Sequence, residues 1–341
     1  MMRTTQWTDV AAKIAKTGAT TELSVPASRL TTYRIGGMVA LVVTITKAEQ
    51  ALALHACISD EIEVVVVGNG SNILISDDGF AGVAVVLHLG DDDTTMSVVE
   101  STEHSALLDA RANIRLPMLA RRSAALGWHG LEWAVGVPGS LGGAVRMNAG
   151  GHGSDMEKSL FDAELINLRS GRAARVAKQN LGLRFRGSAI TDEICVVGAR
   201  CQVTRGNAEQ SQKEIAEIVT WRRDNQPGGQ NAGSVFVNPA QTTRSAGALI
   251  DEAGLRGKRH GSAEISQKHA NFIQADENAR AADVVALMCE AQDTVFARTG
   301  VMMHSEVRLL GFTQEITHRF LDKHHSHLEL ARAQETLKSL L

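Results

Sequence analysis

The sequence predicts a protein of mixed helix and strand, organised in three sections followed by a tail. The chain has 341 residues, more than one average domain, and 44% of them are hydrophobic, which is enough for several cores. Runs of β-branched residues alternate with stretches that repeat apolar residues at helical spacing. Two glycine-rich segments, 68–72 and 136–151, interrupt this alternation.

The first section is assigned to residues 1–95. The run MVALVVTI at 38–45 predicts a strand because β-branched side chains favour extended backbone. A second such run, IEVVVV at 62–67, leads directly into Gly68-Asn69-Gly70-Ser71-Asn72. The predicted elements are, in order, a helix at 8–17 stopped by Gly18, a strand at 38–45, a helix near 48–59, and strands at 62–67 and 73–76.

The second section, 96–207, and the third, 208–312, are predicted in the same way. Pro227 ends a helix that begins the third section, because proline cannot continue one. Residues 313–341 form a tail that is polar and helical by pattern. The predicted elements are a helix at 116–126, strands at 194–203, a helix at 212–224, two amphipathic helices around 246–253 and 284–295, and a strand at 301–309.

Composition narrows the class of protein. The net charge is −3 with both signs mixed along the chain, so we expect no nucleic-acid partner. The four cysteines have no CxxC spacing, which predicts reduced thiols and a cytoplasmic protein. No apolar run approaches the ~20 residues that span a bilayer, so we expect no membrane insertion. The tail histidines 318, 324, 325 and 327 match no standard ligand spacing, and we predict a solvated helix without a metal.

The segment 136–151 reads GVPGSLGGAVRMNAGG, with six glycines in sixteen positions. Glycine lets main-chain N–H groups approach a ligand closely, at an entropic cost that a plain connector has no reason to carry. The alternative is a surface linker, but linkers favour Ser, Pro and charge over Val, Leu and Met. The run therefore predicts a cradle for a phosphate or a cofactor.

Familiar nucleotide signatures do not fit the two glycine segments. After Gly68 and Gly70, Ile73 stands where GxGxxG has its third glycine, and strand follows where a helix should open. The sequence contains no GxxxxGK[ST], which excludes a P-loop enzyme. What remains is a pyrophosphate held by loops between strands.

Seven motifs stand in a familiar order. They are TTYRIGG (31–37), GNGSN (68–72), GLEWAVGVPGSLGGAVRMNAGG (130–151), NAGSVFVNP (231–239), AGALIDEAGLRG (246–257), SQKHANFI (266–273) and SEVRLLG (305–311). Together they resemble the UDP-N-acetylenolpyruvoylglucosamine reductase family, also called UDP-N-acetylmuramate dehydrogenase, over about residues 30–311. These are flavoenzymes of bacterial peptidoglycan synthesis, and hence of cell-wall biogenesis, cell shape and cell division.

The resemblance implies an α+β flavoprotein of the vanillyl-alcohol-oxidase (PCMH) type. Two FAD-binding subdomains would occupy 1–95 and 96–207, and an α+β substrate-binding domain 208–312. The first glycine loop lacks the histidine through which some relatives attach flavin, so non-covalent FAD is expected. The residues implied in FAD binding are Tyr33, Gly68, Asn69, Gly70, Ser71, Asn72, Gly136, Pro138, Gly139, Ser140, Gly143 and Asn148.

The resemblance also implies three catalytic residues. Arg186 matches the family's arginine in Phe185-Arg186-Gly187-Ser188, and Ser234 in NAGSVF matches its proton donor. Glu306 precedes Val-Arg near the end and matches its glutamate. NADPH would be the hydride donor and a UDP-sugar the substrate of a monomeric enzyme. The implied substrate contacts are Arg222, Asn231, Asn238 and His269.

The chain departs from the family pattern at particular positions. Val237 replaces a lysine or arginine, and Ser305 replaces a proline. Tyr33 is the only tyrosine, so a clamp tyrosine from an inserted loop is absent and the subtype without that loop follows. Two other functions therefore stay open: another FAD oxidoreductase of the same fold, or a non-catalytic protein that binds a sugar nucleotide.

Overall fold

The computed structural model describes residues 4–90, 95–321 and 327–341. Its helices are α1 (Thr4–Ala15), α2 (Ala48–Ala53), α3 (Leu116–Ala125), α4 (Leu141–Met147), α5 (Met156–Ser159), α6 (Ala208–Asn225), α7 (Ala246–Glu252), α8 (Ala281–Thr299), α9 (Gln314–Phe320) and α10 (His327–Leu340). Within these ranges no helix is long and apolar enough to cross a membrane.

Most of the strands lie in the first two sections. They are β1 (Thr20–Pro26), β2 (Met38–Ile45), β3 (Val64–Val67), β4 (Ile73–Ile75), β5 (Phe80–Leu87), β6 (Met96–Ser101), β7 (Ser105–Arg111), β8 (Trp128–His129), β9 (Gly150–Gly151), β10 (Ser154–Asp155), β11 (Leu160–Asn167), β12 (Ala173–Ala177), β13 (Ile194–Arg205), β14 (Arg259–His260), β15 (Ala263–Ile265), β16 (Ile273–Ala275) and β17 (Arg308–Leu310).

The first section is built on a sheet of order β1-β2-β5-β3, in which β2 and β3 both run parallel to β5. The β-branched residues of β2 and β3 point alternately into two hydrophobic cores, one on each face of the sheet. Strand β2 has the predicted bounds. The glycine loop 68–72 leaves the sheet where β3 ends, as the sequence pattern predicted.

The second section is built on an antiparallel sheet of order β12-β11-β13-β7-β6. Helix α4 packs across β13, and a Cβ on Gly142 would lie 2.9 Å from the Ala112 side chain. The expectation of a glycine loop is therefore wrong for the second half of GVPGSLGG. Gly142 and Gly143 are helical, and the missing side chain of Gly142 allows close contact between helix and sheet.

In the third section, α7, α8 and the sheet β14-β15-β16 pack together around one hydrophobic core. The chain then returns to the first section, because β17 pairs in parallel with β4. The predicted strand at 301–309 is wrong except for its end. The Ser305 hydroxyl donates to the Val307 carbonyl at 2.7 Å, which holds a bend where an extended strand would continue.

Helix α6 and the tail both pack on the hydrophobic core of the second section, called the second core below. Ile215 and Ile218 of α6 and Leu337 and Leu341 of the tail are part of it. The tail is helical, as predicted, but the expectation of a fully solvated helix is wrong, because Leu337 is only 1% exposed. Of the tail histidines, His318 lies on α9, and His324 and His325 lie outside the described residues.

Candidate active site

The two glycine segments face each other across a cleft. The side-chain amide of Asn69 donates to the Pro138 carbonyl at 3.3 Å, which ties the loops together directly. A methyl group on Gly68 would overlap the Ser140 hydroxyl. The missing side chains therefore keep the cleft open where the two loops approach.

Gly70 gives the first loop its shape. Its φ is +61°, in the left-handed region, and a Cβ there would overlap the Leu30 carbonyl oxygen. The Gly70 carbonyl accepts a hydrogen bond from the Thr32 N–H at 3.1 Å. The loop is thus held by the TTYRIGG motif, which the sequence places almost forty residues earlier.

Replacing Gly70 with alanine is expected to destabilise the protein by about 1 to 3 kcal/mol, because alanine is strained at positive φ and meets the Leu30 carbonyl. Thermal unfolding of wild type and of Gly70→Ala, each loaded with FAD, measures the difference in stability. The matched control is Gly228→Ala, since Gly228 has open space where the Cβ would be. Equal unfolding midpoints for both variants would contradict the argument.

Two adjoining cavities occupy the cleft, one of about 460 Å³ and one of about 660 Å³. They share the lining residues Val66, Gly68, Asn69, Ser140, Gly143 and Arg146. In the smaller cavity the buried Asn113 Oδ1 has no hydrogen-bond partner among the described residues, so it is available to a ligand donor. The shape suits an elongated molecule whose charged centre lies between the glycine loops.

Arg186 and Glu306 form an ion pair in the larger cavity, with Arg186 Nε 3.0 Å from Glu306 Oε1. Arg186 sits at the tip of a tight turn with φ +58°, and its Nη2 also donates to the Gly150 carbonyl at 2.9 Å. Burial raises the pKa of Glu306 to about 7, although Arg186 acts in the opposite direction. Glu306 is therefore a carboxyl group that exchanges its proton near neutral pH.

Ser234 lines the same cavity and is placed there by the backbone around it. Gly233 has φ +75°, and its N–H donates to Asn231 Oδ1 at 3.0 Å. One residue beyond Ser234, the Val235 carbonyl accepts the Glu306 N–H at 2.8 Å. Ser234 and Glu306 are thus brought together by a main-chain bond between two distant motifs.

The first glycine loop is hydrogen-bonded to the backbone around Glu306, just before and at the start of β17. The Asn72 side chain donates to the Glu306 carbonyl at 2.9 Å, and the Asn72 carbonyl accepts the Arg308 N–H at 3.0 Å. Any movement of the loop would therefore be transmitted to Glu306. The first glycine loop is therefore hydrogen-bonded to the backbone that carries Glu306.

The larger cavity is lined by four arginines, namely Arg146, Arg186, Arg222 and Arg308. Asp192 lies 2.6 Å from the guanidinium groups of both Arg146 and Arg308 and so bridges them. Burial, together with the charge of Arg146, lowers the pKa of Arg308 to about 10. This density of positive charge suits a ligand with several phosphates.

Sequence reasoning did not assign Arg146 or Arg308 to the site. A signal was present for both: Arg146 is the only ionisable residue in 136–151, and Arg308 follows Glu306 within SEVRLLG. His152 and Trp221 also line the cavity. Their rings pack edge to face, with 5.1 Å between the ring centroids. These two had no sequence signal, because only the fold brings them together.

Ten of the twelve expected cofactor residues line the cleft, and two do not. Tyr33 is fully buried in the hydrophobic core of the third section, where its hydroxyl donates to the Ile273 carbonyl at 3.0 Å. Asn148 ends α4 with φ +41°, and its amide donates to the Arg184 carbonyl at 3.0 Å. Both side chains hold the scaffold, because their polar atoms are already used within the protein.

The expected substrate residues divide in the same way. Arg222 and Asn231 line the larger cavity, and burial lowers the pKa of Arg222. Asn238 and His269 line neither cavity. Asn238 Oδ1 accepts the Ala246 N–H at 3.0 Å ahead of α7, and His269 Nδ1 accepts the Asn271 N–H at 3.2 Å.

Comparison with known proteins agrees with this architecture. Residues 39–177 match the FAD binding domain family, and residues 225–310 match the family described as UDP-N-acetylenolpyruvoylglucosamine reductase, C-terminal domain. The UDP-N-acetylenolpyruvoylglucosamine reductase of Gloeobacter violaceus is 40% identical over 83% of this chain and 93% of its own length. That of Heliobacterium modesticaldum is 39% identical over 84% and 89%.

Solved structures give the same result. The crystal structure of UDP-N-acetylenolpyruvylglucosamine reductase (MurB) from Thermus caldophilus superimposes with a TM-score of 0.70 and 30% identity, covering 86% of this chain and 98% of that one. The implied α+β fold, an FAD-binding module of the PCMH type followed by a substrate domain, is confirmed. The paired glycine loops belong to a flavoprotein, and the chain is a member of the UDP-N-acetylenolpyruvoylglucosamine reductase family of FAD-dependent oxidoreductases.

Proposed function

We propose that this chain reduces the enolpyruvyl ether of UDP-N-acetylenolpyruvoylglucosamine to UDP-N-acetylmuramate, with NADPH as the hydride donor. The observation that carries the proposal is the convergence of Arg186, Ser234 and Glu306 in one cavity beside the glycine loops. These residues come from three separate motifs. An FAD-binding scaffold alone would not require them to meet.

When held in the cleft, FAD would supply the hydride-transfer chemistry that links NADPH to the terminal carbon of the enolpyruvyl group. The residues that would hold it are the glycine loops and Arg146, with Asn113 in the smaller cavity. The paired cavities and the unpartnered Asn113 oxygen fit such a dinucleotide. We propose that 1–95 and 96–207 hold FAD and 208–312 the substrate, although α6 packs on the second core.

Arg186 would stabilise the charge that develops in the substrate. Hydride addition to one alkene carbon leaves an electron pair on its neighbour, delocalised into the substrate carboxylate as an enolate. A permanently charged guanidinium at fixed distance lowers that barrier most when it is already oriented. The bonds to Gly150 and Glu306 orient Arg186 before substrate arrives.

Ser234 would supply the proton that completes the reaction. The enolate carbon takes the hydroxyl proton and forms a C–H bond, and solvent later restores the proton to the serine oxygen. A hydroxyl is a weak acid, so only a strongly basic carbon held within hydrogen-bond reach can take its proton. Glu306 in its protonated form would donate a hydrogen bond to the enolate oxygen.

Arg222 and Asn231 would contact the phosphates of the substrate or of NADPH.

All of the proposed groups lie on one chain, which supports a monomeric enzyme. We place it in the cytoplasm, a reducing compartment, because Cys57, Cys195, Cys201 and Cys289 are all free thiols.

An anaerobic experiment separates this proposal from its alternatives. The purified protein is reduced with NADPH, and UDP-N-acetylenolpyruvoylglucosamine is then added while the flavin absorbance is followed. Reoxidation of the flavin with formation of UDP-N-acetylmuramate supports the proposal. Reduction without reoxidation favours another FAD oxidoreductase, and a protein that binds UDP-sugar without flavin turnover favours a non-catalytic role.

The FAD is expected to be dissociable. No cysteine lines either cavity among the described residues, and the loop 68–72 contains neither histidine nor cysteine. Acid denaturation followed by ultrafiltration should therefore release the yellow chromophore into the filtrate. Chromophore that stays with the polypeptide would contradict this expectation and identify a covalent bond.

A further inference from the structure

We propose that His129, Glu132 and Glu214 bind one divalent transition-metal ion such as Zn²⁺. The site would lie outside the catalytic cavity, between α6 and the short 3-10 helix Glu132–Gly136. It does not depend on the reductase activity proposed above. Its role would be structural, joining two elements that carry residues of the active site.

The first support is the convergence of three ligand atoms. One atom from each of the three side chains lies within 4.8 Å of the other two. His129 Nδ1 is 3.0 Å from Glu132 Oε1, yet this oxygen has no hydrogen-bond partner. The His129 nitrogen and this Glu132 oxygen are close enough to bind one ion together.

The second support is the burial of Glu132. Its side chain is only 3% exposed, and Oε2 accepts the Gly130 N–H at 2.8 Å. The opposite oxygen, Oε1, is buried and unsatisfied. A buried carboxylate oxygen that accepts no hydrogen bond is a position at which a cation would be stabilised.

The third support is the charge in the cluster. Glu132 and Glu214 bring two carboxyl groups to one point beside His129. Two carboxylates together carry a charge that a divalent ion balances.

The donor set selects the class of metal. One imidazole nitrogen with two carboxylate oxygens suits Zn²⁺ and similar ions, whereas Mg²⁺ and Ca²⁺ prefer oxygen alone. The His129 side chain is 48% exposed, which leaves room for water in the remaining position. The sequence concealed this site, because Glu214 is far from the other two ligands in the chain.

The position of the cluster gives the ion a structural consequence. Glu132 begins the 3-10 helix whose last residue, Gly136, lines the larger cavity. Glu214 lies on α6, two turns before Arg222, which lines the same cavity. An ion between them would hold both elements at fixed separation.

The test uses the FAD-loaded protein after removal of metals with a chelator. Zn²⁺ is added back, bound zinc is measured by equilibrium dialysis and metal analysis, and thermal unfolding is recorded with and without it. The variants are His129→Asn and Glu214→Gln, both of which spare the buried Glu132. The matched control is Glu209→Gln, which removes an exposed carboxylate from the same helix.

We expect wild type and the control to bind one more Zn²⁺ per chain than the two variants, with affinity at the site lowered at least about tenfold in each variant. Zinc should raise the unfolding midpoint of wild type and control only. The proposal is overturned if wild type binds no zinc, or if both variants keep the same stoichiometry and midpoint shift as wild type. The latter result would place the ion elsewhere, for example on the tail histidines.

Discussion

Replacing Ser234 with alanine is expected to slow substrate reduction by on the order of 10² to 10⁴-fold while leaving reduction of the flavin by NADPH intact. The reason is that only the second half-reaction needs a proton at carbon. The Ser234 side chain makes no hydrogen bond within the described part of the chain, whereas the neighbouring Gly233 and Val235 hold the fold through their backbones. Anaerobic stopped-flow absorbance of the flavin measures the two half-reactions separately.

The control for this variant is Ser97→Ala, which removes an exposed hydroxyl on the outer strand β6. It should leave both half-reactions unchanged. An equal loss in the two half-reactions of Ser234→Ala would mean that Ser234 supports cofactor binding or folding. The assignment of Ser234 as proton donor would then be wrong.

The second half-reaction is expected to lose rate as the pH rises above about 7. Burial raises the pKa of Glu306 to about 7, so the carboxyl holds its proton below that pH and loses it above. Only the protonated form can donate a hydrogen bond to an enolate oxygen. Stopped-flow rates of flavin reoxidation between pH 5.5 and 8.5, a range about the expected pKa, measure the profile.

Glu306→Gln is the matched variant, because its amide donates at every pH. Its reoxidation rate should be lower than that of wild type but flat across the same range. A wild-type profile that is flat, or that rises through pH 7, would exclude Glu306 as a hydrogen-bond donor. A variant that keeps the wild-type profile would assign the titration to another group.

Arg186 allows an independent check on the same pair. Arg186→Lys keeps the charge but loses the guanidinium that contacts both Glu306 and the Gly150 carbonyl. Because the hydrogen bond from Arg186 opposes the effect of burial, the loss of that bond should move the Glu306 profile further toward alkaline pH. A shift toward acid pH would show that Arg186 does not stabilise the Glu306 carboxylate.

The helices and part of the sheets were predictable because they depend on local pattern. Strand β2 was predicted with its observed bounds, and α3, α6, α7 and α8 differ from prediction only near their ends. Strands β1 and β5 were missed, because alternation in TTELSVP and FAGVAVVL is weak without the neighbours that pair with them. Strands β6, β7, β11 and β12 of the second sheet were missed as well. The strand predicted at 301–309 failed because a serine side chain bends that segment.

The sequence by itself determined the family, because ordered motifs keep their residue types wherever the chain folds, and it predicted the FAD-binding loops and the three candidate catalytic residues. Only the tertiary structure decided how those residues act on one another. The Arg186–Glu306 pair, the raised pKa of Glu306 and the bridge from Asp192 to two arginines all depend on distance and burial. So does the placement of Tyr33, Asn148, Asn238 and His269 outside the lining of both cavities, where each side chain makes a hydrogen bond within the scaffold.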